Sequence, residues 1–198
     1  MNFTLPSRLP LVHTTSPASR SLDRRFAIGL AASLFVALCA HISIPMGFTP
    51  VPATLQTLAV ILVGLLLGPV DAFAALTLYL FEGAAGLPVF SPHGLGGVAQ
   101  LMGPTAGYLF SYPLAAAVAG FSVRLFGKRV PAMPAAVASG VLASLPVFTL
   151  GTFWLAFQLH LTATQALHFA ITPFIAEEAV KITLAAAAFT ALKPAKRS

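Results

Sequence analysis

Long apolar runs constrain the fold of this chain more than any other feature. Six of them are rich in Ala and Leu and are separated by polar, proline-rich or glycine-rich connections. A helix needs about 20 apolar residues to cross a bilayer, whereas a membrane β-barrel would show alternating stretches of roughly ten residues. The sequence therefore predicts an all-α integral membrane protein, a six-transmembrane-helix bundle with structured outer loops. The six segments are approximately residues 26–44, 53–67, 71–84, 104–126, 132–155 and 173–192.

The shortage of charged residues supports this class. Only 8% of the 198 residues are charged and 58% are hydrophobic, whereas a soluble domain has about 25% charged residues. So few charges cannot cover a water-exposed surface, which argues against a soluble fold. Cys39 is the single cysteine, so neither an internal disulfide nor a cysteine-based metal cluster can form. We expect no metal and no cofactor.

The basic residues predict the orientation of the helices. If all six segments span, ten of the eleven Lys and Arg residues fall on one side, and Lys181 is the eleventh. Basic residues near span ends favour the cytoplasm, so we expect both termini on the cytoplasmic side of the inner membrane. Residues 1–25 would then be a disordered tail, residues 26–192 the membrane domain, and residues 193–198 a basic tail. The Arg-rich, acid-poor start also fits an organelle transit peptide.

Two connections on the opposite side differ from plain polar loops. Residues 43–60 contain three prolines, and residues 81–109 mix glycine with Leu87, Val89 and Phe90. Proline stiffens such loops because it fixes the backbone. Apolar side chains within them favour a lid folded over the mouth of the bundle. Contact of the same side chains with lipid headgroups is the alternative.

Three charged residues lie inside the last apolar segment: Glu177, Glu178 and Lys181. At about 100° per residue they share one helix face. Facing lipid, each would cost about 2.5–3.5 kcal/mol, so they must face protein or a hydrated cavity, where opposite charges at these spacings can pair. An inert bundle would avoid the desolvation cost of such a pair. This favours a site for a small polar ligand over a purely structural ion pair.

These features together resemble the BioY family of biotin transporters, the substrate-binding (S) components of energy-coupling factor transporters. The resemblance covers about residues 25–192. The stretch TPVPATLQTLAVILVGLLLGP is similar to the family's first outer loop and second helix, and GAAGLPVFSPHGLGG followed by LMGPTAGYL to its third loop and fourth helix. The resemblance implies six helices with cytoplasmic ends, high-affinity binding of biotin beneath the outer loops, and uptake together with a transmembrane scaffold subunit and ATPase subunits.

The resemblance also implies a set of site residues. The family's last helix commonly reads Pro-Phe-x-x-Gly-Asp-x-x-Lys, and residues 173–181 here read PFIAEEAVK. Glu178 takes the Asp position and Lys181 the Lys position, whose side chains contact the ureido ring, while Glu177 replaces the usual Gly. The further candidates are Phe48, Phe90 and Tyr108 to cover the apolar ring, and Gln56 and Ser91 to form hydrogen bonds. The candidate contacts with the scaffold subunit, all small residues of the first helix, are Ala27, Ala31, Gly29, Ser33 and Ala37.

Other functions fit part of the pattern. An S component or secondary transporter for another small vitamin, or a channel, would have similar spans. An intramembrane glutamate protease carries Glu-Glu-x-x-x-Arg on a span, but EEAVK has its Lys one position early. Such an enzyme also needs histidines inside the bundle, whereas His160 and His168 lie in or near an outer connection. We therefore expect no enzymatic activity. The sequence has no Walker A pattern, so ATP hydrolysis would come from partner subunits. A homo-oligomer that works alone is also compatible with the sequence.

Overall fold

The computed structural model describes residues 17–192, and the side chains of residues 22–192. Nearly all of this part is helical. Of the predicted tails, residues 1–16 and 193–198 lie outside the described residues. The elements are α1 (Pro17–His41), β1 (Ser43–Ile44), β2 (Ala53–Thr54), α2 (Gln56–Leu67), α3 (Pro69–Ala84), α4 (Gly97–Leu101), α5 (Ala106–Phe126), α6 (Ala132–Leu159), α7 (Ala163–Ala170), a 3-10 turn (Thr172–Phe174) and α8 (Ile175–Leu192).

Each predicted apolar segment coincides with one long helix. The largest difference is at the start of α1, which begins at Pro17 rather than near residue 26. Residues 18–25 contain no glycine or proline, the two residues that most oppose a helix, so the polar stretch extends α1. Helices α5 and α6 are long and apolar enough to cross a bilayer, whereas α2 and α3 have 12 and 16 residues. The arrangement of six spans therefore stays a prediction.

One end of the bundle carries the folded connections, and we call it the loop end. There β1 and β2 pair antiparallel, with Ser43 opposite Thr54, which closes the connection between α1 and α2 into a hairpin. Helix α7 begins with a capping box, in which the side chains of Thr162 and Gln165 each bond the other residue's backbone N–H. The connections at this end thus have hydrogen-bonded structure of their own. The opposite end carries Lys128 in the turn between α5 and α6.

Glycines set the closest helix contact in the bundle. Helices α2 and α5 meet at Gly64, Gly68 and Gly120. A Cβ atom on Gly120 would lie 2.5 Å from the backbone carbon of Gly68 and 2.7 Å from the carbonyl oxygen of Gly64. Small residues allow membrane helices to approach this closely. Helix α5 also packs extensively against α6 and contacts α3, so it joins α2, α3 and α6.

Two polar contacts connect α1 to α3. Arg25 donates from Nε to Asp71 Oδ1 over 3.0 Å in an exposed ion pair. Further along the same two helices, the hydroxyl of Ser33 donates to the carboxylate of Glu82. Because each contact joins one residue of α1 to one of α3, together they fix the register of these neighbouring helices.

The small residues of α1 that were predicted to meet a scaffold subunit lie in two environments. Ala27 and Ala31 are exposed, and Gly29 is half-buried with open space where a Cβ atom would be. Ser33 and Ala37 are buried, because their face of the helix turns toward the bundle interior. A partner docking on the outside could reach the first three residues. Ser33 and Ala37 are not available to it in this arrangement.

Candidate ligand-binding site

A cavity lies at the loop end between α2, α5, α6 and α8, with the β1–β2 hairpin on one side. We call it the inner cavity. The space free of protein atoms, counted out to the mouth, is about 580 Å³. Apolar and aromatic side chains surround a smaller group of polar ones, a combination typical of sites for small molecules.

The three charged residues of α8 form a cluster on the wall of this cavity. Lys181 Nζ lies 2.7 Å from Glu177 Oε1 and 4.0 Å from Glu178 Oε2. The side chains of Glu178 and Lys181 are only 7% and 8% exposed, whereas that of Glu177 is 29% exposed. The three charged groups therefore lie close enough to pair, and they face the cavity. An ammonium group has three N–H donors, so Lys181 keeps donors beyond its bond to Glu177.

Two hydroxyl groups hold the carboxylate of Glu178. Thr57 of α2 donates to Oε2 over 2.9 Å, and Ser144 of α6 donates to Oε1 over 2.6 Å. The carboxylate therefore joins three helices, and the two bonds offset part of the cost of burying its charge. A carboxylate can accept about four hydrogen bonds in all. Glu178 consequently retains acceptor capacity for the N–H groups of a ligand.

A chain of hydrogen bonds fixes the hairpin side of the cavity. Thr54 Oγ1 donates to Gln56 Oε1 over 3.2 Å, and Gln56 Nε2 donates to the hydroxyl of Tyr79 over 2.8 Å. That hydroxyl in turn donates to the carbonyl of Val89 over 2.9 Å. The chain connects β2, α2 and α3 to the loop that follows α3. It holds the amide of Gln56 in one orientation beside the cavity.

Five of the seven predicted substrate-binding residues line the inner cavity. Tyr108 is held from two directions: its ring packs so closely on Gly151 of α6 that a Cβ atom there would overlap it, and its hydroxyl donates to the carbonyl of Ala170 over 3.2 Å. Ser91 donates weakly to Ser43 over 3.4 Å. The five residues are Gln56, Ser91, Tyr108, Glu178 and Lys181.

The other two predicted residues, Phe48 and Phe90, lie elsewhere, which corrects the prediction that they cover the ligand. Phe48 is 58% exposed and borders a separate groove beside α7. Phe90 is buried against Gly83, where only a glycine leaves room for it, and its ring meets the edge of Tyr79 at a centroid distance of 5.4 Å. The sequence does not determine where these two rings lie, because an apolar side chain in a loop can turn toward the cavity or toward an adjacent helix.

Sequence reasoning missed several cavity residues, among them Thr57, Gln100 and Tyr112. Tyr112 is buried, and none of the residues that the structure describes forms a hydrogen bond with its hydroxyl. A buried hydroxyl is costly unless it is bonded, so this group is available to a ligand. A signal was present, because Tyr112 follows Tyr108 by four residues and residues at that spacing share one helix face.

Comparison with known proteins assigns the chain to a family. The model of the BioY family matches residues 14–198. The chain belongs to the BioY family. It is 38% identical over 160 residues to the biotin transporter BioY of Thermotoga maritima, covering 79% of this chain and 90% of the relative. It is 36% identical over 156 residues to the probable biotin transporter BioY of Pyrococcus horikoshii, covering 77% and 88%.

A solved structure has the same fold as this BioY-family chain. The S-component for biotin from an ECF-type ABC transporter superposes with a TM-score of 0.78, at 23% identity, over 90% of this chain and 94% of that chain. The predicted family resemblance is therefore confirmed. As a member of a transporter family, the chain is a membrane transport protein and not an enzyme.

Proposed function

We propose that the chain binds biotin in the inner cavity and takes it up across the cytoplasmic membrane, as the S component of an energy-coupling factor transporter. The observation that carries this proposal is the buried Glu178–Lys181 pair on the cavity wall, in a chain of the BioY family. A buried ion pair seldom improves stability over apolar packing, which favours a role in binding. The names of the relatives from Thermotoga maritima and Pyrococcus horikoshii support biotin as the ligand.

The chemistry of biotin complements the cavity. Its ureido ring offers two N–H donors and one carbonyl acceptor, its thiophane ring is apolar, and its side arm ends in a carboxylate. Glu178 would accept the N–H groups, and Lys181 would donate to the carbonyl. The rings of Tyr108 and Tyr112, which line the cavity, would cover the apolar ring. With the ureido ring against α8, the side arm leads toward the mouth.

We further propose that helices α1, α2, α3, α5, α6 and α8 span the membrane, with the loop end outside and both termini in the cytoplasm. The turn between α5 and α6, at the end away from the cavity, carries Lys128 and Arg129, and basic residues flanking spans favour the cytoplasm. The short helices α2 and α3 meet at Gly68 and Pro69, at that same end. In this orientation the inner cavity receives ligand from outside the cell.

The energy for uptake would come from partner subunits. The sequence has no Walker A pattern with which to bind the phosphates of ATP. A scaffold subunit in the membrane and ATPase subunits in the cytoplasm would complete the transporter. The exposed small residues Ala27, Gly29 and Ala31 of α1 suit close contact with a scaffold helix, because small side chains let helix backbones approach.

Equilibrium binding of biotin to the purified chain in lipid nanodiscs tests the proposal. We expect the wild type to bind, and Lys181→Ala to bind at least about tenfold more weakly. A hydrogen bond to a charged group contributes about 1.5–3 kcal/mol, and 1.4 kcal/mol corresponds to about tenfold in affinity. Removing Lys181 alone also leaves buried carboxylates without their cation, which is destabilising. The double variant Glu177→Ala/Lys181→Ala removes the close pair as a unit, which controls for the unpaired carboxylate of Glu177.

Lys128→Ala, at the end of the bundle away from the cavity, is the matched control for loss of a basic residue. It should bind biotin as the wild type does. Wild-type affinity in both variants that lack Lys181 would refute the assigned role of the ammonium group. Absence of biotin binding by the wild type, together with binding of another vitamin from a ligand panel, would refute biotin as the substrate.

A further inference from the structure

A second hollow lies at the loop end beside the inner cavity, and we call it the outer chamber. The space free of protein atoms there, counted out to the surrounding solvent, is about 620 Å³, similar to the 580 Å³ of the inner cavity. Its walls come from the β1–β2 hairpin, from the loop before α4 and from the residues between α4 and α5. The side chains that matter here are Pro50, Pro52, His93, Leu95, Gln100 and Thr105.

The two spaces adjoin, because Pro52, Gln100 and Thr105 line both of them. Gln100 is the buried part of this shared wall. Its Oε1 accepts a hydrogen bond from the backbone N–H of Gly96 over 3.2 Å, and its amide fills the space in which a Cβ atom on Gly94 would sit. A ligand arm leaving the inner cavity toward the mouth would therefore meet three side chains before it enters the outer chamber.

The chemistry of the outer chamber does not favour a negatively charged group. Among the residues that the structure describes, its lining contains no Lys, Arg, Asp or Glu, and His93, which is exposed, is its single titratable side chain. A carboxylate placed there would lose water without gaining a permanent cation, whereas an amide loses much less on burial. The side chains of Gln100 and Thr105 could also bond both the C=O and the N–H of an amide.

We propose that the outer chamber accepts the linker of amide-extended biotin, in which the carboxylate is joined to an alkylamine such as the side chain of lysine. The substrate class is then biotin together with its N-alkyl amides. This inference rests on the proposed function, since the ureido ring must lie against Glu178 and Lys181 for the side arm to point toward the mouth.

Competition binding on the full chain in nanodiscs tests the inference, with free biotin and biotin amide-linked to the lysine side chain as the two probes. On the wild type, the amide should bind within about tenfold of biotin. Pro50→Trp and Leu95→Trp add bulk at two positions of the outer chamber's lining, where it would take up the space that the linker needs. Each substitution should lower the affinity for the amide at least about tenfold and change the affinity for biotin by no more than about twofold. Leu87→Trp, on an exposed residue outside that lining, is the matched control and should change neither affinity.

The outcomes separate this inference from the proposed function. If the wild type bound biotin normally but bound the amide more than about a hundredfold more weakly, the inference would be overturned and the proposed function would stand. Equal weakening of both probes by Pro50→Trp and Leu95→Trp would also overturn it, because the chamber would then not be selective for the linker. Failure of the wild type to bind either probe would overturn the function and the inference together.

Discussion

Replacing Glu178 with Gln removes one negative charge and leaves the rest of the site almost unchanged. The amide has the same length as the carboxylate. Its oxygen can still accept from Ser144, now 2.6 Å from Oε1, and its NH₂ group can donate to the hydroxyl of Thr57, now 2.9 Å from Oε2, because a hydroxyl both donates and accepts. Lys181 keeps its 2.7 Å contact with Glu177. The variant should therefore fold normally and report on the ligand contact alone.

The expected loss of affinity follows from the hydrogen bonds that Glu178 would form with biotin. A bond to a charged group contributes about 1.5–3 kcal/mol and a neutral one about 0.5–1.5 kcal/mol. Each ureido N–H would thus lose about 1–1.5 kcal/mol, which is roughly tenfold in affinity. One such contact predicts a tenfold weaker complex, and two predict about a hundredfold.

The dissociation constant for biotin, measured by titration of both proteins in nanodiscs, checks this prediction. Glu82→Gln is the matched control, because Glu82 also lies on a long helix of the bundle but contacts Ser33 rather than the inner cavity. The control should bind within about twofold of the wild type. If Glu178→Gln also bound within twofold while remaining folded, Glu178 would not be the acceptor for the ureido ring. A similar loss in both variants would show that the charge acts through the fold and not through a contact.

Three further predictions test the binding site, the packing and the topology. Tyr112→Phe should weaken biotin binding by about 0.5–1.5 kcal/mol in the same titration without lowering thermal stability, because none of the described residues forms a hydrogen bond with its hydroxyl. Unchanged affinity would mean that the hydroxyl does not touch the ligand. Gly120→Ala should cost about 1–3 kcal/mol of stability in thermal unfolding, whereas Gly29→Ala, which has open space, should cost nothing. In a cysteine-free background, His93→Cys should react with an impermeant maleimide from outside intact cells, and Lys128→Cys only after permeabilisation; the reverse pattern would invert the proposed topology.

The long helices were predictable from the sequence because their cause is local. Apolar runs bounded by breakers such as Gly68 and Pro69 specify both the helices and their ends. The early start of α1 at Pro17 and the pairing of β1 with β2 were missed. The first lies in a polar stretch with no apolar periodicity, and the second depends on contacts between Ser43 and Thr54 that a single strand does not encode.

The sequence predicts those residues of the candidate site whose orientation follows from burial alone. It does not predict those whose orientation depends on the rotation of their helix. A charge within an apolar helix must turn inward whatever surrounds it, so Glu178 and Lys181 were found. Thr57 and Ser144 were not, because hydroxyl residues occur throughout membrane helices and only their rotation toward Glu178 distinguishes these two. The position of Phe90 depends on the space left by the missing side chain of Gly83. The sequence shows a glycine there but not which residue packs against it.

Glu177 gives the charged cluster a division of roles. Two carboxylates face one ammonium, and the close partner of Lys181 is Glu177 at 2.7 Å rather than Glu178 at 4.0 Å. Glu178 is held instead by two neutral hydroxyl groups, which stabilise its charge without neutralising it. A carboxylate that keeps its full charge is the stronger acceptor for ligand N–H groups. Because Glu177 offsets the charge of Lys181, Glu178 can remain both buried and open to a ligand.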